Sequence, residues 1–168
     1  MSLKKCLAKS SPAGLYRNRW ISTHSGLKHK EKSRRLCVAS WNVRTLLDNK
    51  SNPERRSAII AYELQKYNFD VAALSETRVH GNSQFQEAAA GYTFFLTGHP
   101  TDGVSQAGVG FAIRSSLLKR IESRPVGHIP RIMSWTFMSF NYTPANAVTV
   151  ISAHAPTLVT SADVKNEF

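Results

Sequence analysis

Short apolar runs separated by polar and turn residues recur along residues 36–168. The runs at 36–41 and 71–75 each predict a buried strand. Between them, apolar or small residues recur at helical spacing and predict one buried helix face: Ser57, Ile60, Ala61, Leu64 and Tyr67. A strand, a helix and a strand in this order predict a crossover that makes the two strands parallel neighbours.

Cap and stop residues frame the predicted helix. Ser51-Asn52-Pro53 supplies a cap residue followed by a proline at the first helical position. At the carboxyl end, Asn68 can end the helix by adopting a left-handed backbone conformation. The helix is therefore expected to fill most of the interval between the two strands.

Further strands are expected downstream. Apolar or aromatic runs predict them at 92–96, 109–113, 132–140 and 147–153. Pro156 ends the last run, and Ser161 is a candidate cap for a final helix. One helical crossover followed by mostly strands predicts the α+β class.

The positive charge is concentrated in the first 35 residues. The chain holds 22 basic and 11 acidic residues, a net of +11, but residues 1–35 hold ten basic residues and one acid, a net of +9. Residues 36–168 hold 12 basic and ten acidic residues, a net of +2. The first segment has no apolar period and carries proline, glycine and serine, so we expect a disordered basic arm at 1–35 and a folded domain at 36–168.

Three interpretations of the arm stay open. Clustered cations such as Arg34 and Arg35 attract phosphate, which favours a nucleic-acid-binding or nuclear-targeting tail. An acid-poor segment bearing arginine and serine also suits a mitochondrial transit peptide. A solvated leader without a role is the third interpretation. We expect a nuclear protein, with a cytoplasmic one as the alternative.

Composition narrows the class of protein. The two cysteines, Cys6 and Cys37, cannot supply a disulfide framework, which favours a reducing compartment. No run approaches the ~20 apolar residues that a membrane span needs. We therefore expect no membrane partner.

Polar residues end three of the predicted strands. Asn42 and Glu76 follow the two strands of the crossover, and His154 follows the run at 147–153. Ligand sites gather at the carboxyl ends of strands in open sheets. Carboxylate and amide oxygens suit Mg²⁺ or Mn²⁺. The alternative is a solvated or ion-paired surface glutamate beside an ordinary packed histidine.

Four motifs in this order resemble the endonuclease/exonuclease/phosphatase superfamily. They are Ser40-Trp41-Asn42-Val43, Leu74-Ser75-Glu76-Thr77-Arg78, Gly108-Val109-Gly110-Phe111 and Ala153-His154-Ala155-Pro156-Thr157. The chain is most similar to the apurinic-endonuclease-like domain of non-LTR retrotransposons and of craniofacial-development-protein-2-like proteins. Trp-Asn-Val-Arg-Thr-Leu, as at residues 41–46, is typical of that branch. The resemblance covers residues 36–168.

The resemblance implies a fold, a reaction and residue roles. The fold would be a partial four-layer α/β/β/α sandwich of the DNase I type, represented here by its amino-terminal part, with one sheet and flanking helices. The reaction would be Mg²⁺-dependent hydrolysis of phosphodiester bonds in DNA. Glu76 would bind the metal, Asn42 would help to hold metal and phosphate, and His154 would act in catalysis. Arg78 would contact the DNA backbone, with a surface ion pair as the alternative.

Departures from the family pattern lower the expected activity. His154 stands where the family usually has a tyrosine, and Arg44 stands where many apurinic endonucleases have an acid. The family's later Asp-x-Asn and Ser-Asp-His motifs do not occur in this sequence. We therefore expect a truncated, impaired enzyme whose apolar sheet face needs a second chain or segment to cover it.

Two other functions stay open from the sequence. One is a non-enzymatic nucleic-acid-binding or interaction remnant, which the missing motifs favour. The other is a phosphatase acting on a phosphoinositide or phospholipid, against which the basic arm and the Trp-Asn-Val-Arg-Thr-Leu motif weigh.

Overall fold

A computed structural model describes residues 3–4, 36–47, 55–100, 107–119, 121, 123–138, 147–158 and 160–168. Nine strands and three helices are assigned within these ranges: β1 (Leu3–Lys4), β2 (Val38–Asn42), α1 (Arg56–Lys66), β3 (Val71–Ser75), β4 (Asn82–Glu87), β5 (Tyr92–Thr97), β6 (Val109–Arg114), α2 (Ser115–Leu118), β7 (Val126–Ile129), β8 (Ile132–Met138), β9 (Ala147–Ala153) and α3 (Ala162–Glu167).

The larger sheet holds the predicted crossover at its centre. Its strand order is β1-β2-β3-β6-β5-β4. β2 and β3 pair in parallel, from Val38 opposite Val71 to Asn42 opposite Ser75, and the other pairs are antiparallel. The parallel pair confirms the crossover. Asn42 and Ser75 therefore end at the same edge of the sheet.

A three-stranded antiparallel sheet, β7-β8-β9, packs against the larger sheet. The register places Met133 opposite Ser152, Trp135 opposite Val150 and Phe137 opposite Val148. These residues face inward, and the three on β8 are buried. They pack with residues of β3, β5, β6 and α2 in one core cluster: Val71, Phe95, Val109, Phe111, Ile113, Leu117 and Leu118.

The α+β, DNase I-like fold class is confirmed, but the number of sheets differs from the prediction. The resemblance predicts one sheet with an uncovered apolar face, whereas the described residues form two sheets that cover each other. The cause is alternation along β8, where Met133, Trp135 and Phe137 point into the core and Thr136 is exposed. β9 alternates as well, since Ser152 on its inner face is buried and Ile151 on its outer face is 61% exposed.

Helix α1 covers the other face of the larger sheet. Four of the predicted face residues are buried, namely Ser57, Ile60, Ala61 and Leu64. Tyr67 was expected on this face but is 52% exposed, because the helix ends one residue earlier. Asn68 has the left-handed backbone expected of a stop, with φ 56°. The predicted cap at 51–53 lies outside the described residues.

Besides β1, which lies in the segment expected to be disordered, three elements had no sequence signal strong enough to predict them. β4 is polar apart from Phe85, since it is the outer strand of its sheet. β7 and α2 have only four residues each. The predicted buried strand at 36–41 begins at Val38, and Cys37 is exposed with its N–H donating to Asp70 Oδ2 at 2.9 Å.

The described residues include no helix that is both long and apolar enough to cross a membrane. Within the basic arm, only Leu3–Lys4 is described, and it pairs with Ser40 and Trp41 of β2.

Trp135→Ala tests the two-sheet core. Trp135 is 0% exposed and stacks obliquely on Phe137, so truncation should lower the free energy of unfolding by about 3–5 kcal/mol. Tyr62→Ala, at an aromatic residue 52% exposed, should change it by less than about 0.5 kcal/mol. Urea unfolding followed by circular dichroism measures both. Equal, small effects would contradict the packed sandwich.

The buried hydroxyl of Tyr92 predicts that the folded domain loses stability at high pH. Burial raises the pKa of the Tyr92 hydroxyl to about 12, partly offset by the nearby Arg114 guanidinium. Its hydroxyl donates to the Phe69 carbonyl, a bond that ionisation would remove. The folded state therefore holds the Tyr92 proton more tightly than the unfolded state. The contribution of this group to the free energy of unfolding is complete below pH 10 and is lost as the pH rises towards 12. Unfolding titrations from pH 9 to 12 should show a steeper decline than in Tyr92→Phe, and identical declines would contradict the prediction.

Candidate active site at the carboxyl ends of three strands

Asn42 and Glu76 contact each other at the edge where β2 and β3 end. Asn42 closes β2 opposite Ser75, and Glu76 is the next residue after β3. The Asn42 Nδ2 amide donates to Glu76 Oε1 at 2.6 Å. The parallel register thus turns two residues 34 positions apart into neighbours.

The amide of Asn42 is oriented by its own loop. Its Oδ1 accepts a hydrogen bond from the Arg44 backbone N–H at 3.0 Å, which leaves the Nδ2 end for Glu76. Arg44 holds this turn in a left-handed backbone with φ 62°. Asn42 therefore presents a donor to the carboxylate.

Glu76 lies in a backbone conformation that costs energy. Its φ is 56°, and left-handed backbone costs a residue with a side chain roughly 1–2 kcal/mol. Hydrogen bonds from the two following backbone N–H groups, Thr77 to Gly108 O and Arg78 to Ala107 O, each at 3.0 Å, hold the turn. Strained backbone persists where such surrounding contacts determine it, and it concentrates at functional sites.

Gly108 is needed beside this turn. Its own φ is +117°, and a Cβ there would lie 2.4 Å from Thr77 Oγ1. Thr77 is fully buried, so its side chain has little room to move. The glycine lets the loop before β6 approach the turn closely enough to hold Glu76.

His154 reaches the same carboxylate from the second sheet. Its Nε2 lies 3.5 Å from Glu76 Oε1, and the His154 and Glu76 side chains are 23% and 26% exposed. Ser152, two residues before His154, donates its hydroxyl to the Leu74 carbonyl at 3.1 Å, and Leu74 is two residues before Glu76. This bond ties β9 to β3 directly beneath the site.

Several polar atoms at the site have no partner within the described residues. Glu76 Oε2 makes no hydrogen bond or ion pair there. His154 Nδ1 and Thr77 Oγ1 are buried without a hydrogen-bond partner. An unsatisfied buried polar group costs about 1–3 kcal/mol. Among the residues that the structure describes, one oxygen of the Glu76 carboxylate therefore has no protein partner.

The structure brings Asn42, Glu76 and His154 together, as the strand-end pattern predicted. Arg78 is exposed two residues from Glu76, also in a left-handed backbone at φ 57°, without a contact to that carboxylate. Arg44 is likewise exposed. Arg34 and Arg35 lie outside the described residues.

Few side chains at the candidate site could bind a metal ion. Among the described residues, no three His, Cys, Asp or Glu side chains form a group that could hold a metal by themselves. What the site offers is one carboxylate, one amide and one imidazole. Such a set can bind a hard cation only if water or substrate supplies the remaining ligands.

Arg131 is a neighbour of the site that the sequence analysis missed. Its carbonyl accepts a hydrogen bond from the His154 N–H at 3.0 Å, and its Nη1 donates to the His154 carbonyl at 3.2 Å. Arg131 follows Pro130 in the turn between β7 and β8. The Pro-Arg pair predicts a turn, but nothing in the sequence indicates which residue 23 positions later it would contact.

Comparison with known proteins assigns the family. No curated protein matched the sequence. A family model for the endonuclease/exonuclease/phosphatase family matches residues 39–164, a span that contains Asn42, Glu76, Arg131 and His154. Because the match covers more than half of the chain, the protein belongs to the endonuclease/exonuclease/phosphatase family.

Proposed function

We propose that this chain is a metal-dependent DNA endonuclease domain of the branch found in non-LTR retrotransposons and craniofacial-development-protein-2-like proteins. The observation that carries the proposal is the convergence of Asn42, Glu76 and His154, with 2.6 Å and 3.5 Å contacts to one carboxylate oxygen. The Trp-Asn-Val-Arg-Thr-Leu motif at 41–46 supports the branch.

Family membership supports the general chemistry. The family is one of nuclease- and phosphatase-type hydrolases, and its members usually depend on a divalent metal. Both reaction types cleave a phosphate ester. The finer assignment to DNA therefore depends on the residues around the site.

The residues at the site fit Mg²⁺, with Mn²⁺ as a substitute. Mg²⁺ commonly binds one or two protein carboxylates and completes its shell with water and substrate phosphate. Glu76 supplies one carboxylate, about a quarter exposed, whose Oε2 is available within the described structure. Bound there, the metal would neutralise phosphate charge and stabilise the leaving oxygen.

Each of the three side chains has a distinct role in the proposal. Glu76 holds the cation, and its strained but well-anchored backbone fixes where the carboxylate lies. Asn42 donates to Oε1 and so orients the carboxylate, in addition to helping to hold phosphate. His154 can donate its Nε2 proton to a phosphate oxygen, the task given to tyrosine in most of the family.

Cations around the site support a nucleic-acid substrate. Arg44 and Arg78 are exposed beside Asn42 and Glu76, where they can contact DNA phosphates. The arm at 1–35, including Arg34 and Arg35, carries a further net charge of +9. We assign DNA as the partner and the nucleus as the compartment on this basis.

The second candidate function is a DNA-binding remnant without activity. The exposed arginines at the site and the net charge of +9 in residues 1–35 suit DNA binding with or without cleavage. The Asp-x-Asn and Ser-Asp-His motifs, which in the family supply the water-activating histidine and its partners, do not occur within residues 1–168. General-base catalysis contributes ~10²–10⁴-fold, and a second chain or segment that supplies such a group would provide this factor.

Glu76→Gln tests the enzymatic proposal. The substitution keeps the shape of the side chain and removes its charge, so Mg²⁺-dependent nicking of supercoiled plasmid should fall by at least about a hundredfold. Glu63→Gln, the same change in helix α1 at a side chain 39% exposed, should leave nicking unchanged. Nicking that persists in Glu76→Gln, or in the presence of a chelator, would rule out this site. DNA binding without nicking in the unmodified chain would establish the remnant instead.

Arg44→Ala with Arg78→Ala tests the DNA-contacting surface. If both arginines neutralise phosphates, the slope of log binding constant against log salt should become shallower by about two units. Lys66→Ala, at a residue in the last turn of α1, should leave the slope unchanged. Fluorescence anisotropy with labelled duplex DNA at several salt concentrations measures it. An unchanged slope in the double variant would place the DNA elsewhere.

A further inference from the structure

Arg131 and His154 hold each other through two hydrogen bonds at the end of the second sheet. The paired register of β8 and β9 stops at Ile132 opposite Ala153, so Arg131 and His154 are the next residues outward on each chain segment. The His154 N–H donates to Arg131 O at 3.0 Å, and Arg131 Nη1 donates to His154 O at 3.2 Å. The second bond uses the guanidinium where a regular ladder would use a backbone N–H.

These two bonds fix the backbone of His154 on both sides of its Cα. A strand-end residue is usually free to adjust because its outer peptide groups are solvated. Here both the N–H and the carbonyl of His154 are held by one residue. Ser152 anchors the strand two residues earlier through its bond to Leu74 O. Arg131 thus holds the backbone of the residue whose imidazole lies 3.5 Å from Glu76.

Arg131 is an unusual residue to use for structural support alone. Within the described residues its guanidinium forms no ion pair with a carboxylate, and its Nε is buried without a hydrogen-bond partner. Within the described residues its side chain thus leaves one donor unsatisfied and contacts a neutral carbonyl. Arg131 is half-buried, and arginines withdrawn from water are usually paired.

We propose that Arg131 is a positioning residue for His154, keeping His154 Nε2 within reach of Glu76 and of the phosphate that the site binds. This inference rests on the proposed function for its catalytic consequence. The positioning itself rests only on the two hydrogen bonds and the 3.5 Å contact of His154 with Glu76.

A double-mutant cycle in the full chain tests the proposal. Arg131→Met keeps the length of the side chain and removes its donors. We expect kcat for Mg²⁺-dependent cleavage of a fluorescent duplex oligonucleotide to fall by about ten- to a hundredfold, with KM within about twofold of the unmodified value. In the His154→Ala background, Arg131→Met should cause no further loss, because the residue acts through His154.

Two further variants separate positioning from folding. Arg131→Lys, which keeps a donor for the His154 carbonyl, should recover part of kcat. Arg124→Met removes another arginine that donates to backbone carbonyls, those of Ile121 and Ser123, and should leave kcat unchanged. Equal losses from Arg131→Met with and without His154, or a loss confined to KM, would overturn the proposal.

A readout independent of activity distinguishes this inference from the proposed function. The His154 ring resonances, assigned by their absence in His154→Ala, should shift or broaden in Arg131→Met, while those of His128 on β7 stay in place. If the unmodified chain shows no Mg²⁺-dependent cleavage, that result contradicts the proposed endonuclease function but not the positioning role of Arg131. If the His154 resonances are unchanged in a folded Arg131→Met variant, that result contradicts the positioning role of Arg131, whether or not the chain is active.

Discussion

The candidate site depends first on the parallel pairing of β2 with β3. That pairing places Asn42 opposite Ser75 and so brings Nδ2 of Asn42 within 2.6 Å of Glu76 Oε1. A slip of one residue would turn the side chains of a strand to the opposite face and separate the pair. Helix α1, buried through Ile60, Ala61 and Leu64, makes the parallel connection possible. The core and the site are thus set by the same crossover.

The packing of the two sheets supplies the third residue. His154 follows a strand of a different sheet from the strand before Glu76. The burial of residues such as Trp135 and Val71 between the layers, together with the Ser152–Leu74 hydrogen bond, brings the two side chains within 3.5 Å. This explains why a site of three side chains needs nearly the whole described domain.

Local sequence patterns predict the central strands, helix α1 and the polar residues at strand ends. They do not predict the edge strand β4 or the contact between Arg131 and His154. The apolar runs at 71–75 and 147–153 predict strands, and the face from Ser57 to Leu64 predicts a helix because its apolar and small residues recur at helical spacing. Strand ends with polar residues indicate Asn42, Glu76 and His154. β4 could not be predicted because an edge strand needs few apolar residues, and Arg131 could not because its partner is set by register across a hairpin and a second strand.

The Ser152–Leu74 hydrogen bond has a consequence for how the molecule responds to heat. This bond joins the two sheets two residues before both Glu76 and His154, beside the apolar contacts of the core between the layers. A small separation of the two sheets, at a temperature below that of unfolding, would increase the distance between the His154 imidazole and the Glu76 carboxylate while the strands are still intact. The contact between His154 and Glu76 should therefore be lost at a lower temperature than the secondary structure.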